Sequence, residues 1–113
     1  MHIIEFSPPM LNLVGTFNTF RLGLRYSKLL KESDTVCLID KKNLCVIGQA
    51  VVENIFKGRL DDMAMLYAHD NHNQLGLDVE TAAERLMTAM LRRYGPQIVN
   101  ESKIVTVIYL TLL

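Results

Sequence analysis

Thr16, Asn18, Thr19, Arg21 and Arg25 crowd into one short stretch, Gly15-Thr16-Phe17-Asn18-Thr19-Phe20-Arg21-Leu22-Gly23-Leu24-Arg25. Hydroxyls, an amide and guanidinium groups are the side chains that hold phosphate oxygens and base edges. They alternate with apolar residues at the two-residue period of an extended strand. Counting by twos, Phe20, Leu22 and Leu24 fall on the face expected to meet a core, and Thr19, Arg21, Gly23 and Arg25 on the other. The flanking glycines allow a ligand close to the backbone. The segment therefore reads as one wall of a ligand cleft. Tyr26, which follows it, offers a ring on which a base could stack, whereas Phe17 is expected in the core.

A second polar cluster is His69-Asp70-Asn71-His72-Asn73. Two histidines three residues apart at a helix end share a face, which raises the question of a metal. There is no His-Glu-x-x-His spacing, and a third ligand would have to come from elsewhere, for example His2. A helix end capped by polar side chains is the reading adopted, with no metal and no cofactor expected. Asn71 and His72 supply both donors and acceptors, which suits the rim of a cleft that reads a nucleobase. Amide hydrolysis without a metal would need a nucleophile (Thr16 or Thr19), a base (Lys28, His69, Asp70 or His72) and a group such as Arg21 for the developing charge. That set has no diagnostic spacing.

The elements that must position these residues read as α+β. His2 to Phe6 is a first strand stopped by Pro8-Pro9. A helical turn is expected over Met10 to Val14, and another turn or loop over Tyr26 to Glu32. The runs Thr35 to Ile39 and Leu44 to Ile47 flank Asp40-Lys41-Lys42-Asn43 as a hairpin, with Asp40 opposite Asn43. Its second strand continues to Phe56, with a bulge or bend expected at Gly48. Leu60, Met63, Ala64, Tyr67 and Ala68 form a helical stripe. Asp78 caps a second helix carrying Val79, Ala82, Ala83, Leu86, Ala89, Met90 and Tyr94 on one side, ended by Gly95-Pro96. The methionines at 63, 65, 87 and 90 are expected to fill core gaps, and Arg92-Arg93 to complement the helix dipole. Lys103 to Leu113 reads as a strand buried from both sides.

Composition bounds the alternatives. The 113 residues, half of them apolar, suit a single domain spanning 1–113. Twelve basic residues balance twelve acidic ones, so no global field draws the chain onto a long polyanion, and anion binding must be local. Neither a leader-like start nor a membrane-length apolar run is visible, so a cytoplasmic protein without membrane contact is expected. Cys37 and Cys45 fit that setting as small buried hydrophobes.

Gly15 to Arg25, with its Gly-x-x-x-Thr-x-Arg core, followed by Ser33 to Leu38, Ile47 to Val52 and the late buried strand, resembles the ASCH domains of the PUA-like superfamily. Together with Tyr67 to His72 it looks particularly like a phage-associated bacterial subgroup. The resemblance implies a small PUA-like β-barrel with inserted helices, whose cleft binds RNA or a modified nucleotide. Some members are amidohydrolases of acylated nucleosides such as acetylated cytidine, using a Gly-x-Lys-Thr-x-Thr-x-Arg-like strand and a later carboxylate. Thr19 takes the second threonine position, Arg21 the arginine, and Asp70 or Asn71 the carboxylate. The lysine position falls on Thr16. The resemblance therefore implies ligand binding through Thr16, Asn18, Thr19, Arg21, Arg25, Tyr26, Asn71 and His72, with Thr19, Arg21 and Asp70 as the hydrolytic alternative.

Overall fold

A computed structural model describes residues 1–8, 10 and 12–113. Five strands form one mixed sheet: β1 (His2–Phe6), β2 (Thr16–Leu22), β3 (Thr35–Asp40), β4 (Cys45–Arg59) and β5 (Ile104–Leu112). Their order is β1-β3-β4-β5-β2, with β1 parallel to β3 and every other pair antiparallel. Among the described residues three α-helices, α1 (Arg25–Leu29), α2 (Leu60–Tyr67) and α3 (Ala82–Tyr94), and two 3-10 turns, Ala68–Asp70 and Val79–Thr81, complete the fold. Asp78 caps the second 3-10 turn, so the α-helix expected from Val79 begins at Ala82.

Alternation along the strands builds two cores. One face gathers Ile4 and Phe6 from β1, Phe17 from β2, Val36 and Leu38 from β3, Ala50 and Val52 from β4, and Ile108 and Leu110 from β5. Tyr26 of α1, Leu30 just after it and the loop residues Leu13 and Leu75 also pack on this face. Arg21 of β2 reaches the Glu5 carbonyl of β1, so the sheet coils until its two edges approach. The opposite face carries Phe20, Val105 and Val107 and packs on Leu60, Ala64 and Ala68 of the α2 stripe and Ala82, Leu86 and Met90 of α3. β5 contributes alternately to both cores, as its two-sided apolar pattern anticipated.

The α+β class holds, but the sheet is open. β1 and β2 are its two edges, and no ladder joins them among the described residues, so closure into a barrel is not what the pairing shows. β2 ends at Leu22, where Gly23 turns the chain at φ +77° into α1. Arg25 is thus helical rather than part of the strand, and Leu24 is exposed. Residues 12–14 are not helical; Pro9 and Leu11, which share the expected strand stop and turn, lie outside the described residues.

The hairpin differs in register from expectation. Asp40 pairs with Cys45 rather than Asn43, and Cys37 lies opposite Gln49. The ladder slips between Leu38↔Gly48 and Ile39↔Val46, so the irregularity falls beside Gly48, at Ile47. Both cysteines are free, Cys37 half-buried and Cys45 exposed, which corrects the reading of two buried hydrophobes. Met65 is likewise exposed instead of filling a core gap.

Asp40 organises the longer turn. Its Oδ1 accepts the amides of Lys42 (2.9 Å) and Asn43 (3.1 Å), and its Oδ2 accepts Asn43 Nδ2 at 2.7 Å. The bonds from Asn43 hold its carboxyl below the ordinary range. A depressed folded pKa contributes stability above the unfolded value of about 3.9, lost as pH falls through the folded value. Asp40→Asn is accordingly expected to lower the urea midpoint at pH 6, with the gap to wild type narrowing at pH 3. A gap independent of pH would contradict this role.

Candidate functional site

The open seam of the sheet holds a cleft of about 440 Å³. Glu5, Phe6, Ser7 and Pro8 at the end of β1 form one wall, and Thr19, Phe20 and Arg21 of β2 the facing one. Asn71, His72 and Asn73 line it, and α3 closes the side with Ala89, Met90, Arg92, Arg93 and Tyr94 among others. Two strand edges that do not pair leave the gap, and the helical layer borders it.

Arg21 spans that seam. Its Nε donates to Thr19 Oγ1 at 3.0 Å, Nη1 donates to the Glu5 carbonyl, and the guanidinium lies 4.6 Å from the Phe6 ring centroid and 5.9 Å from that of Tyr26. The group is half-buried, and Nη2 makes no hydrogen bond to a described residue. Burial is the main influence lowering the Arg21 pKa from its ordinary value, with Arg93 pushing in the same direction. An arginine keeps its proton regardless. No described carboxylate comes within ion-pair distance of Arg21, Arg92 or Arg93; Glu5 reaches Lys41 at 3.6 Å. The cleft is therefore locally cationic within a chain of zero formal net charge.

Asn71 and His72 are built into the wall rather than set on a rim. Asn18 and Asn71 form an isolated parallel bridge, and the His72 amide donates to the Asn18 carbonyl at 3.2 Å. This short segment covers part of the β2 edge. The Asn71 side chain is mostly committed: its Oδ1 accepts the Asn73 amide at 3.0 Å and its Nδ2 approaches the Asn18 carbonyl at 3.5 Å. The His72 ring sits edge-on to Phe6 (5.3 Å) and Phe17 (6.1 Å), joining the two walls through aromatic contacts. Both residues are buried.

The other sequence candidates are placed elsewhere. Thr16 is exposed at the start of β2, its hydroxyl 2.9 Å from that of Thr111. Asn18 faces the helical core, where its Nδ2 donates to the Tyr67 carbonyl at 2.8 Å. Arg25 is exposed on α1, 5.8 Å from the Tyr26 ring, and Tyr26 packs against the strand core behind Arg21. Asp70 accepts the Tyr109 hydroxyl at 2.6 Å, on the side of the sheet where Tyr109, Tyr67 and Phe56 pack together. That bond and burial, the larger influence, push the Tyr109 pKa well above its ordinary value. His69 lies 3.3 Å from Asp70, and no group of three metal-binding side chains occurs among the described residues.

The cleft thus unites Thr19, Arg21, Asn71 and His72 but not Asp70. The Thr19 hydroxyl is engaged by Arg21 rather than by a base. The geometry suits anion recognition better than nucleophilic attack, which needs a base within hydrogen-bond reach. Sequence reasoning missed the β1 wall and the lining of the cleft by Ala89, Met90 and Tyr94 of α3, and it ranked a basic path through Arg92 and Arg93 beside Arg21 below their dipole role. A signal for α3 was present: the stripe Leu86, Ala89, Met90 runs on at helical spacing into Arg93.

An open coiled sheet, with α2 and α3 on one face and a cationic cleft in its seam, defines an α+β fold with one candidate site at the seam. No protein-family model and no curated protein matches the chain. Solved structures do. A DUF984 protein from Enterococcus faecalis superposes with TM-score 0.61 at 10% identity, covering 90% of this chain and 65% of that one. A point mutant of ZmASCH from Zymomonas mobilis gives 0.55 at 16% identity, over 96% and 67%. The ASCH domain from Lactobacillus crispatus gives 0.52 at 9%, over 89% and 65%. The chain spans about two thirds of the length of these structures. Its fold is that of ASCH-domain structures, so the resemblance read from the sequence is borne out as a likeness of fold.

Proposed function

We propose that this protein binds RNA or a modified nucleotide in the seam cleft, with Arg21 as the principal anion contact and Thr19 fixing its orientation. The observation that carries the reading is Arg21 itself: a half-buried guanidinium, held on three sides, with an uncommitted Nη2 and no carboxylate partner among the described residues. A positive charge taken partly out of water without a counter-ion is favourable chiefly when an anion arrives. The exposed Arg92 and Arg93 extend the positive field, and Tyr94 offers a ring face for a base. The walls formed by Asn71 and His72 set the shape of the site. Zero net charge favours a short single strand or a single nucleotide over a duplex. A single ASCH/PUA-like unit over 1–113, acting in the cytoplasm in a phage-associated setting, completes the proposal; no helix among the described residues is long and apolar enough to cross a membrane.

The test is equilibrium binding of a short single-stranded oligoribonucleotide at several salt concentrations. Saturable binding that weakens with salt and depends on Arg21 is expected. Absence of binding at low salt would overturn the reading.

A further inference from the structure

We propose that the cleft recognises a terminal phosphomonoester, the 5′- or 3′-phosphate end of a nucleotide or short strand, between Arg21 on β2 and Arg93 on α3. The proposal deepens the nucleotide-binding reading and rests on it. Arg21 and Arg93 line the same cleft from two different elements, with Arg92 beside them. The cleft's acidic side chain, Glu5, is half-exposed and paired outward with Lys41. Two guanidiniums facing one cavity repel each other, and Arg93 adds to the lowering of the Arg21 pKa that burial begins.

A phosphodiester, with one negative charge, answers one of these cations. A terminal phosphomonoester, with a second ionisation near pH 6, carries nearly two charges at neutral pH and three acceptor oxygens. It can engage both forks at once. Arg21 is prepared for this role, since Thr19, the Glu5 carbonyl and the Phe6 ring fix its plane before any ligand arrives. Arg93 is an exposed residue lying 5.5 Å from the Tyr94 ring centroid, free of any ion pair with a described residue and able to swing onto the ligand.

The experiment compares one tetraribonucleotide in three forms, with both ends hydroxyl, with a 5′-phosphate, or with a 3′-phosphate, by titration calorimetry. One phosphorylated form is expected to bind about tenfold or more tightly than the hydroxyl form at pH 7.5, and which one identifies the recognised end. That ratio should shrink below about pH 6, where the monoester loses its second charge. The charged and titratable groups around Arg21 are Glu5, Tyr26, His72, Arg92, Arg93 and Tyr94. Protonation of Glu5 or His72 makes the cleft more positive and strengthens anion binding, the opposite sign to the expected trend. Arg93→Gln should bring the ratio close to one, with an unchanged melting temperature reporting an intact fold. Equal affinity for all three forms overturns this proposal and leaves oligonucleotide binding standing. No binding of any form overturns both.

Discussion

Replacing Arg21 with alanine is expected to weaken binding of a short oligoribonucleotide by about 10- to 100-fold, because one or two charge-assisted hydrogen bonds of about 1.5–3 kcal/mol in total are removed. The effect should be largest at low salt and shrink as salt rises, since one phosphate contact and its counter-ion release disappear together. Arg21→Lys keeps the charge but not the fork that reaches Thr19 and the Glu5 carbonyl at the same time, so it should restore part of the affinity and not all of it. Stability should change little by comparison, because Arg21 sits at a half-exposed position and takes part in no ion pair with a described residue. Affinity unchanged in Arg21→Ala would remove this residue from the site.

Phe17→Ala is expected to cost about 3–5 kcal/mol of folding stability, with a drop in melting temperature of more than about 10 °C. Phe17 is fully buried in the core shared by all five strands. Neighbours drawn from five strands cannot collapse into the space that its removal opens, which is the condition for a large cavity penalty. Its ring also supports His72 across the seam, and His72 in turn touches Phe6 of β1. The variant should therefore loosen the cleft walls as well as the core, weakening ligand binding even at temperatures where it is folded. Chemical denaturation checks the first effect, and binding by the folded variant checks the second. A destabilisation below about 1 kcal/mol would show that the coiled core is not packed as described.

The sequence revealed the strand that lines the seam cleft, the two late helices and the buried last strand, because each has a clear local period. Thr19 and Arg21 were legible together since alternation places them on one face of β2. Which surroundings that face meets was not legible. The same face holds Phe17, fully buried, because the sheet coils and encloses a core that a single strand's pattern cannot announce. Arg92 and Arg93 read as partners of a helix dipole because the seam that brings them near Arg21 is made by β1 and β2 failing to pair, a non-local fact. Asn71 and His72 carried a polar signal, but whether their groups face a ligand or the protein depends on the bridge to Asn18. The hairpin register was misread for a related reason: Asp40 gathers two amides and a side chain, stabilising a longer turn than strand spacing alone suggests.

The central claim is that the seam cleft is the ligand site. Its most direct test is a backbone amide NMR titration of the isotope-labelled protein with a short single-stranded oligoribonucleotide. Saturating shifts are expected at Thr19, Phe20, Arg21, His72, Arg93 and Tyr94, while Thr16 and Asp70 stay largely unmoved. Shifts centred on Thr16, on Asp70 or on another surface, with the cleft silent, would contradict the account.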